Sequence, residues 1–263
     1  MATVEIDGMK INYREEGEGP LLVMLHGWGS NIELFNGIFT YTQGAYHVVA
    51  MDMAGFGKSQ EPSAPYCVDD YVAFVIKFVQ KLFPNEKEII FLGHSLGGRI
   101  IIKLAAGIHD GNLTPGFTIT KVILTDSAGI MPVRSAAQRK RTARFHFYKN
   151  LITKSGIMKL DPDALNKLQK KFGSADYSAA SPVMRQSLVK IVNEDLEPYM
   201  KDVTMPALLI WGDLDTATPL SDGQKMEKLM PEAGLAVIKG ATHYSFLDQP
   251  YLYNKILGSF LEI

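Results

Sequence analysis

The sequence predicts an α/β fold in which a mostly parallel central sheet of about eight strands is flanked by helices. Short apolar runs rich in β-branched residues recur along the chain, and continuous runs of this length are typical of strands buried on both faces. Helical patterns separate most of these runs, as expected of a parallel sheet with helices on both sides. The composition agrees, because 263 residues with 46% hydrophobic and 21% charged side chains can bury a sizeable core.

The first two predicted strands form a hairpin, and six further strands follow. Residues 3–6 and 10–14 alternate between apolar and polar side chains around Asp7-Gly8, which is typical of a tight hairpin turn. Helices are predicted at residues 69–82 and 96–108. The six apolar runs that predict the remaining strands are residues 20–25, 47–51, 88–92, 121–124, 207–211 and 235–238.

The interval 131–203 has no convincing strand pattern and predicts an all-helical region. Asp161-Pro162 and Ser181-Pro182 are each typical of a helix N-cap followed by proline at the first helical position. We therefore predict a helical cap at residues 131–203, inserted after the sixth strand of the sheet. The core is then discontinuous and consists of residues 1–130 and 204–263.

Charge is spread unevenly along the chain. The formal net charge is −1, which argues against strong overall attraction to nucleic acid or to an anionic membrane. Residues 131–203 carry a net charge of +7, and the remainder carries −8. One interpretation is attraction of an anionic substrate or an acidic surface. The other, which we favour because charged helix faces are ordinary, is a solvated basic cap attracted to an acidic core.

Other features limit the location and the chemistry. The single cysteine, Cys67, allows no internal disulfide and favours a reducing compartment. The N-terminus lacks a signal-peptide pattern and no apolar stretch approaches a bilayer span, so we expect a cytoplasmic protein without a membrane span. Metal motifs such as H-E-x-x-H and C-x-x-C are missing, and Asp52 stands where a phosphate loop requires its first glycine. We therefore expect no metal or other cofactor and no nucleic-acid partner, and we leave the oligomeric state open.

The segment from Gly93 to Gly97, Gly-His-Ser-Leu-Gly, joins a predicted strand to a predicted helix. A serine at so sharp a turn is held in a strained backbone conformation, with its hydroxyl projecting from the sheet edge. Side chains two residues before and after it would collide, which explains both glycines. Ser95 is therefore predicted to be a nucleophile, provided that a neighbouring base takes its proton.

Several segments together resemble the α/β-hydrolase family over nearly the whole chain. Residues 26–29, His-Gly-Trp-Gly, are similar to the loop after the third strand, and residues 52–59 are similar to the D-x-x-G-x-G-x-S turn after the next strand. Residues 93–97 resemble the nucleophile elbow. Residues 211–215 and 240–243 resemble the segments that carry the acid and the base.

The resemblance implies a catalytic triad of Ser95, Asp215 and His243, in the family's order of serine, acid and histidine. It also implies that the backbone N–H groups of Trp28 and Leu96 form the oxyanion hole, where donors face the charge that develops on the carbonyl oxygen.

Alternatives remain open for the acid and the base. Asp213 could face the same way as Asp215 on an irregular turn, although a turn or capping role is its ordinary interpretation. Asp126 follows the sixth predicted strand, where some family members carry their acid. We rank both below Asp215. Among the other histidines we expect His94 to be packed in the elbow. We expect His26 to hold the loop of residues 26–29, called the oxyanion loop below, in place. The rest are expected to have core or surface roles: His47, His109 and His146.

The predicted function is hydrolysis of small-molecule carboxylic esters with a small or medium acyl chain, through an acyl-enzyme intermediate. Serine at the elbow argues against haloalkane dehalogenases and epoxide hydrolases, which carry aspartate there. A carbon–carbon bond hydrolase, a thioesterase, a cofactor-free perhydrolase or a small-molecule receptor that retains the triad remain alternatives. Apolar residues of the predicted cap either line an acyl pocket or, more commonly, pack the cap against the core: Met131, Phe145, Phe147, Tyr148 and Met158.

Overall fold

The computed structural model describes residues 1–131, 136–154, 161, 163–172 and 175–263. Within these residues eight strands form one sheet: β1 (Ala2–Ile6), β2 (Met9–Glu16), β3 (Leu21–Leu25), β4 (His47–Met51), β5 (Glu88–His94), β6 (Thr118–Thr125), β7 (Ala207–Gly212) and β8 (Ala233–Ile238). Their order across the sheet is β1-β2-β4-β3-β5-β6-β7-β8. All eight predicted strands are confirmed, with boundaries that differ from the prediction by at most three residues.

The sheet begins with an antiparallel hairpin and continues in parallel. Strands β1 and β2 are joined by Asp7 and Gly8, whose φ angles are 51° and 77°. Positive φ at both positions is typical of the type I′ turn, which suits the twist of the flanking strands. Strand β2 also pairs antiparallel with β4, and every neighbouring pair from β4 to β8 is parallel. The predicted hairpin and mostly parallel sheet are therefore confirmed.

Helices cover both faces of the sheet. The α-helices of the described residues are α1 (Asn36–Thr42), α2 (Val68–Leu82), α3 (Leu96–His109), α4 (Ala136–Lys154), α5 (Ala164–Phe172), α6 (Ala175–Ala179), α7 (Pro182–Val192), α8 (Glu197–Met200), α9 (Leu220–Leu229), α10 (Ser245–Asp248) and α11 (Pro250–Leu261). One apolar core contains residues of α2, α3 and α9, and a second core contains residues of α1 and α11. All five residues of β3 are buried between them, as the continuous apolar run predicts. No described helix is long and apolar enough to cross a bilayer.

Between β6 and β7 the described residues form helices α4 to α8 and no strand. Ser181 caps the N-terminus of α7, because its side chain accepts a hydrogen bond from the Met184 N–H, and proline follows in the first turn. That predicted helix start is confirmed. The one predicted at Asp161-Pro162 includes Pro162, which lies outside the described residues. The division of the chain into a core and a cap stays a prediction.

The carboxyl ends of the parallel strands bring polar residues from six loops to one edge of the sheet. In strand order from β3 to β8, the loops that follow contain His26, Asp52, Ser95, Asp126, Asp215 and His243. In open α/β sheets ligands bind outside this edge. The fold therefore gathers the predicted site residues at the position where a site is expected.

Candidate active site

Ser95 lies at the turn between β5 and α3 with a strained backbone. Its φ and ψ angles are 51° and −107°, a combination that costs a non-glycine residue about 1–3 kcal/mol and persists only where the surroundings impose it. The Ser95 N–H donates to the carbonyl of Thr125 at 3.2 Å, and the Ser95 carbonyl accepts the N–H groups of Gly98 and Ala128, both at 3.1 Å. These bonds fix the turn to β6 and to the first turn of α3.

Close packing leaves no room for side chains at the two flanking glycines. A Cβ at Gly93 would lie 2.6 Å from the backbone of Gly97. A Cβ at Gly97 would collide with the carbonyl oxygen of Leu25 in β3. The sequence argument for glycine at both positions is therefore confirmed by the packing around the elbow.

The loop after β8 brings His243 beside this elbow. His94, the residue before Ser95, has its Nε2 2.8 Å from the carbonyl oxygen of His243, and the two imidazole centroids are 4.9 Å apart. The described hydrogen bonds of the His243 ring go to Asp215 and Thr218 rather than to Ser95. Catalytic hydrogen bonds to a nucleophile are often long or poorly aligned before substrate binds.

Asp215 holds the opposite side of the His243 imidazole. Its Oδ2 lies 2.8 Å from His243 Nδ1, and its side chain is 0% exposed whereas that of His243 is 18% exposed. Oδ1 of Asp215 accepts the N–H groups of Ala217 at 2.7 Å and Thr218 at 3.0 Å. Because an ionised carboxylate only accepts hydrogen bonds, Nδ1 of His243 carries the proton and Nε2 keeps the lone pair that a base needs.

Hydrogen bonding keeps Asp215 ionised despite its surroundings. Burial alone would raise the pKa of this carboxyl, but the hydrogen bonds from His243 and Thr218 outweigh burial and hold the pKa below its usual value. An ionised acid at this position would stabilise positive charge on His243.

The two alternative acids contact other groups. Asp213 is exposed, and its Oδ1 accepts the Gly240 N–H at 2.6 Å, which is a turn-capping role. Asp126 accepts the Gly212 N–H at 2.9 Å and the N–H and hydroxyl of Ser245 at 3.0 and 2.6 Å. Burial raises the pKa of Asp126 to about 6, against the lowering effect of these hydrogen bonds. Neither carboxylate binds the His243 ring among the described hydrogen bonds, and the geometry favours Asp215.

Thr218 is a site residue that the sequence analysis missed. Its hydroxyl lies 2.7 Å from Asp215 Oδ2, 3.1 Å from the Asp126 carbonyl and 3.2 Å from His243 Nδ1. It therefore joins the loops after β6, β7 and β8. A hydroxyl residue three positions after an aspartate at a strand end is the signal that could have identified it, since such spacing favours a local side-chain turn.

The loop after β3 lies directly against Ser95. A Cβ at Gly27 would be 3.2 Å from the Ser95 Cβ. His26 holds this loop from behind, because its Nδ1 lies 2.7 Å from the Gly27 carbonyl oxygen and its Nε2 accepts the Met53 N–H at 3.0 Å. Burial lowers the pKa of His26, which favours the neutral ring that these two bonds require. His26 thus has the contacts expected of a residue that holds the oxyanion loop.

Trp28 and Leu96 occupy the positions predicted for the oxyanion hole. Among the described residues neither backbone N–H donates a backbone hydrogen bond. Leu96 is the first residue of α3, where N–H groups have no intrahelical partner and lie at the positive end of the helix dipole. Both groups thus have no backbone acceptor among the described residues, and their catalytic assignment stays a prediction.

A cavity of about 500 Å³ lies beside Trp28, between the strand loops and helices α6 and α7. The Trp28 and Phe56 rings meet edge to face at 4.9 Å on its wall, and Met184 of α7 closes the space next to Gly55. Of the apolar residues suggested by the sequence, the four that the structure describes do not line this cavity: Met131, Phe145, Phe147 and Tyr148. Phe147 and Tyr148 are 65% and 39% exposed. Of that predicted set, Met158 lies outside the described residues.

One group of potential metal ligands lies at the end of α3. His109, Asp110 and Asp202 bring one ligand atom each within 4.8 Å of one another. His109 and Asp110 are exposed and Asp202 is half-buried. Exposed acidic groups of this kind are common without an ion, and we assign them no metal.

A mostly parallel sheet with a serine at a strained strand-to-helix turn defines the α/β-hydrolase class of protein. The family model described as "Alpha/beta hydrolase family" matches residues 22–255. The chain therefore belongs to this family, and it is an α/β hydrolase.

Named relatives share this length and fold. A 2-(acetamidomethylene)succinate hydrolase of Mesorhizobium japonicum is 24% identical over 98% of this chain and 94% of its own. A pimeloyl-[acyl-carrier protein] methyl ester esterase of Vibrio vulnificus is 26% identical over 95% of this chain and 97% of its own. The crystal structure of the enol-lactonase from Burkholderia xenovorans superposes with a TM-score of 0.74 at 21% identity and covers 100% of both chains.

Proposed function

We propose that the protein hydrolyses carboxylic esters of small or medium acyl chain through an acyl-enzyme intermediate on Ser95. The observation that carries the proposal is the 2.8 Å contact between Asp215 and His243. The backbone of His243 also contacts His94, the residue before Ser95. This arrangement supports a serine that is activated by an oriented imidazole.

The proposed cycle has two halves. Ser95 Oγ attacks the acyl carbon while His243 Nε2 takes its proton, and the same proton then passes to the leaving alcohol as the ester C–O bond breaks. Water next attacks the acyl-enzyme and gives its proton to His243, which returns it to Ser95 Oγ as the acid leaves. Asp215 keeps the His243 tautomer fixed and stabilises its positive form in both halves.

The oxyanion of each tetrahedral intermediate is proposed to lie between the backbone N–H groups of Trp28 and Leu96. Leu96 directly follows Ser95, and Trp28 directly follows Gly27, which lies against Ser95. These positions and the absence of other backbone partners among the described residues support this assignment. Donors of this kind are worth on the order of a hundredfold or more in rate each. A bound ester-like phosphonate whose oxygen pointed away from both groups would contradict the assignment.

The relatives support ester chemistry without naming a substrate for this chain. One is an esterase that acts on a methyl ester, and a structural neighbour is an enol-lactonase. The first name describes a methyl ester carried on an acyl-carrier protein and the second describes a lactone, so both describe cleavage of an ester bond. The partner that we propose for this chain is a small-molecule ester. The cytoplasmic location predicted from the sequence stays a prediction.

A chain-length series of p-nitrophenyl esters, from acetate to decanoate, tests the proposal. We expect many turnovers per protein molecule, with the highest kcat/KM between butyrate and octanoate, because the cavity beside Trp28 can take a medium acyl chain. Release of p-nitrophenol should continue linearly after the first turnover.

The same series distinguishes the alternatives. A single burst that matches the protein concentration, followed by a stable adduct, would favour a small-molecule receptor. If no ester in the series gave a burst or turnover, only a binding protein would remain as an explanation, and the proposed hydrolysis would be refuted.

Met184 is expected to limit the length of the acyl chain. It is 3% exposed and faces the cavity beside Trp28. Met184→Trp fills this space, so kcat/KM for octanoate should fall at least about tenfold relative to acetate, since a lost methylene site is worth roughly 1–3 kcal/mol. The ratio of the two kcat/KM values is the measurement.

Met184→Leu is the matched control, because it conserves volume and should leave the ratio within about threefold. Overpacking alone would lower the melting temperature of Met184→Trp and its activity on both esters equally. An unchanged ratio in Met184→Trp would mean that the acyl chain binds elsewhere.

A further inference from the structure

We propose that His94 is a positioning residue, which holds the His243 loop against the nucleophile elbow through its Nε2–H and the His243 carbonyl oxygen. The inference rests on the proposed function and assigns a role to a residue that the triad does not include. His94 is covalently joined to Ser95, so any constraint that it places on His243 is a constraint on the separation of nucleophile and base.

His94 contacts the oxyanion loop and the loop that carries His243 (the histidine loop), and it belongs to the nucleophile elbow itself. The residue is 1% exposed. Its Nε2 lies 2.8 Å from the His243 carbonyl oxygen, and a Cβ at Gly27 would lie 2.8 Å from its Nδ1. Its ring also packs against Tyr244 and Phe246, with centroids 5.1 and 5.3 Å away. His94 therefore lies between the oxyanion loop and the histidine loop, at the base of the elbow.

The hydrogen-bond pattern fixes the tautomer of His94. A carbonyl oxygen only accepts hydrogen bonds, so the proton of the neutral ring is on Nε2. Nδ1 then carries a lone pair, and it is the only buried side-chain nitrogen or oxygen without a partner among the described residues. The Nε2–H is therefore the ring nitrogen of His94 that has a hydrogen-bond partner among the described residues, and this partner belongs to the histidine loop.

The ring is held uncharged by its surroundings. Burial, together with the neighbouring His243, lowers the pKa of His94 to about 3. His26 also opposes a charge on the ring, while Asp215 and the His243 carbonyl favour one. A neutral His94 can lie 4.9 Å from His243 without repelling the imidazolium that forms there during the proposed cycle.

A matched pair of substitutions tests the role. The side-chain amide nitrogen of glutamine reaches as far as histidine Nε2, whereas that of asparagine reaches only as far as Nδ1. His94→Gln should keep the donor to His243 and retain kcat within about fivefold. His94→Asn should lower kcat by about a hundredfold with KM within about twofold, because a displacement of about 1 Å has this cost in rate.

Both substitutions replace a ring by an amide, so loss of packing is common to the pair and melting temperatures should fall in both. Rescue by glutamine and a loss confined to kcat are effects that a merely structural role would not produce. Equal kcat values for the two variants, or a loss in KM alone, would overturn the role of His94.

Imidazole ¹⁵N NMR of the wild-type protein gives a second measurement that needs no turnover. We expect the His94 ring to stay neutral with Nε2 protonated between pH 5 and pH 8. A proton on Nδ1, or a charged ring in this range, would overturn the inference even if esters are hydrolysed. If esters are not hydrolysed but this tautomer is found, the proposed function fails and the hydrogen bond between the two loops stands.

Discussion

Ser95→Ala should lower kcat for p-nitrophenyl butyrate by roughly four to six orders of magnitude, the loss found when a triad nucleophile is removed from serine hydrolases. The acyl-enzyme cannot form without the hydroxyl, so the initial burst should vanish as well. A rate about a thousandfold above water can persist, because oxyanion donors and substrate binding remain. The measurement is steady-state and burst kinetics with purified wild type and variant.

The fold should survive this substitution. The Ser95 side chain makes no capping hydrogen bond to α3, and alanine suffers the same backbone strain as serine at a φ of 51°. The melting temperature of Ser95→Ala should therefore stay within about 2 °C of wild type.

Ser95→Gly is the matched control for this strain. Glycine adopts positive φ at no steric cost, so this variant should be as inactive as Ser95→Ala but more stable by up to about 1 kcal/mol. Wild-type turnover in either variant would show that a different group carries the chemistry. Equal stability of the two would show that the elbow is less strained than its dihedral angles indicate.

The fold was largely predictable because its pattern is local. Each buried parallel strand is a continuous apolar run, and the hairpin at Asp7 and Gly8 needs two residues that tolerate positive φ. Both signals are carried by neighbours in the sequence. The glycines at positions 93 and 97 were predictable for the same reason, since the collision that excludes other residues occurs around a single turn.

The site was predictable only in part. The resemblance implied Asp215 and His243, and the structure brings these two side chains within 2.8 Å of each other. Asp215 was ranked above Asp213 from the resemblance alone, because the sequence does not fix which way two residues on an irregular turn point. That choice depends on Ala217 and Thr218, whose N–H groups orient the Asp215 carboxylate.

The spacing of residues along the sequence did not predict the hydrogen bonds between distant loops. Thr218 binds residues on two other loops, and His94 meets a backbone carbonyl 149 positions away. Asp126, ranked as an alternative acid, proves to join the end of β7 to Ser245. A backbone carbonyl or N–H partner can belong to any residue type, so sequence patterns do not reveal it.

The choice between the two carboxylates of the β7 loop has the second largest expected effect. Asp215→Asn should lower kcat by about four orders of magnitude. An asparagine amide that faces His243 Nδ1 donates a hydrogen bond, so it forces the proton of the neutral imidazole onto Nε2. Nε2 then has no lone pair to accept the serine proton, although the side chain keeps its size and an acceptor for Ala217 and Thr218. The measurement is kcat on p-nitrophenyl butyrate.

Asp213→Asn is the matched control, two residues away on the same turn. Its carboxylate is exposed and accepts one N–H from Gly240, and an asparagine oxygen can accept that bond as well, so kcat should change by less than about threefold.

The pH dependence of stability gives an independent check on the choice of acid. The pKa of Asp215 is depressed in the folded protein, so its ionised form contributes stability that is present above the ordinary aspartate pKa of about 4 and is lost as pH falls through the folded value. Asp215→Asn should lack that acid-sensitive contribution, whereas Asp213→Asn should retain it. A larger loss of kcat in Asp213→Asn than in Asp215→Asn would move the acid of the site to Asp213.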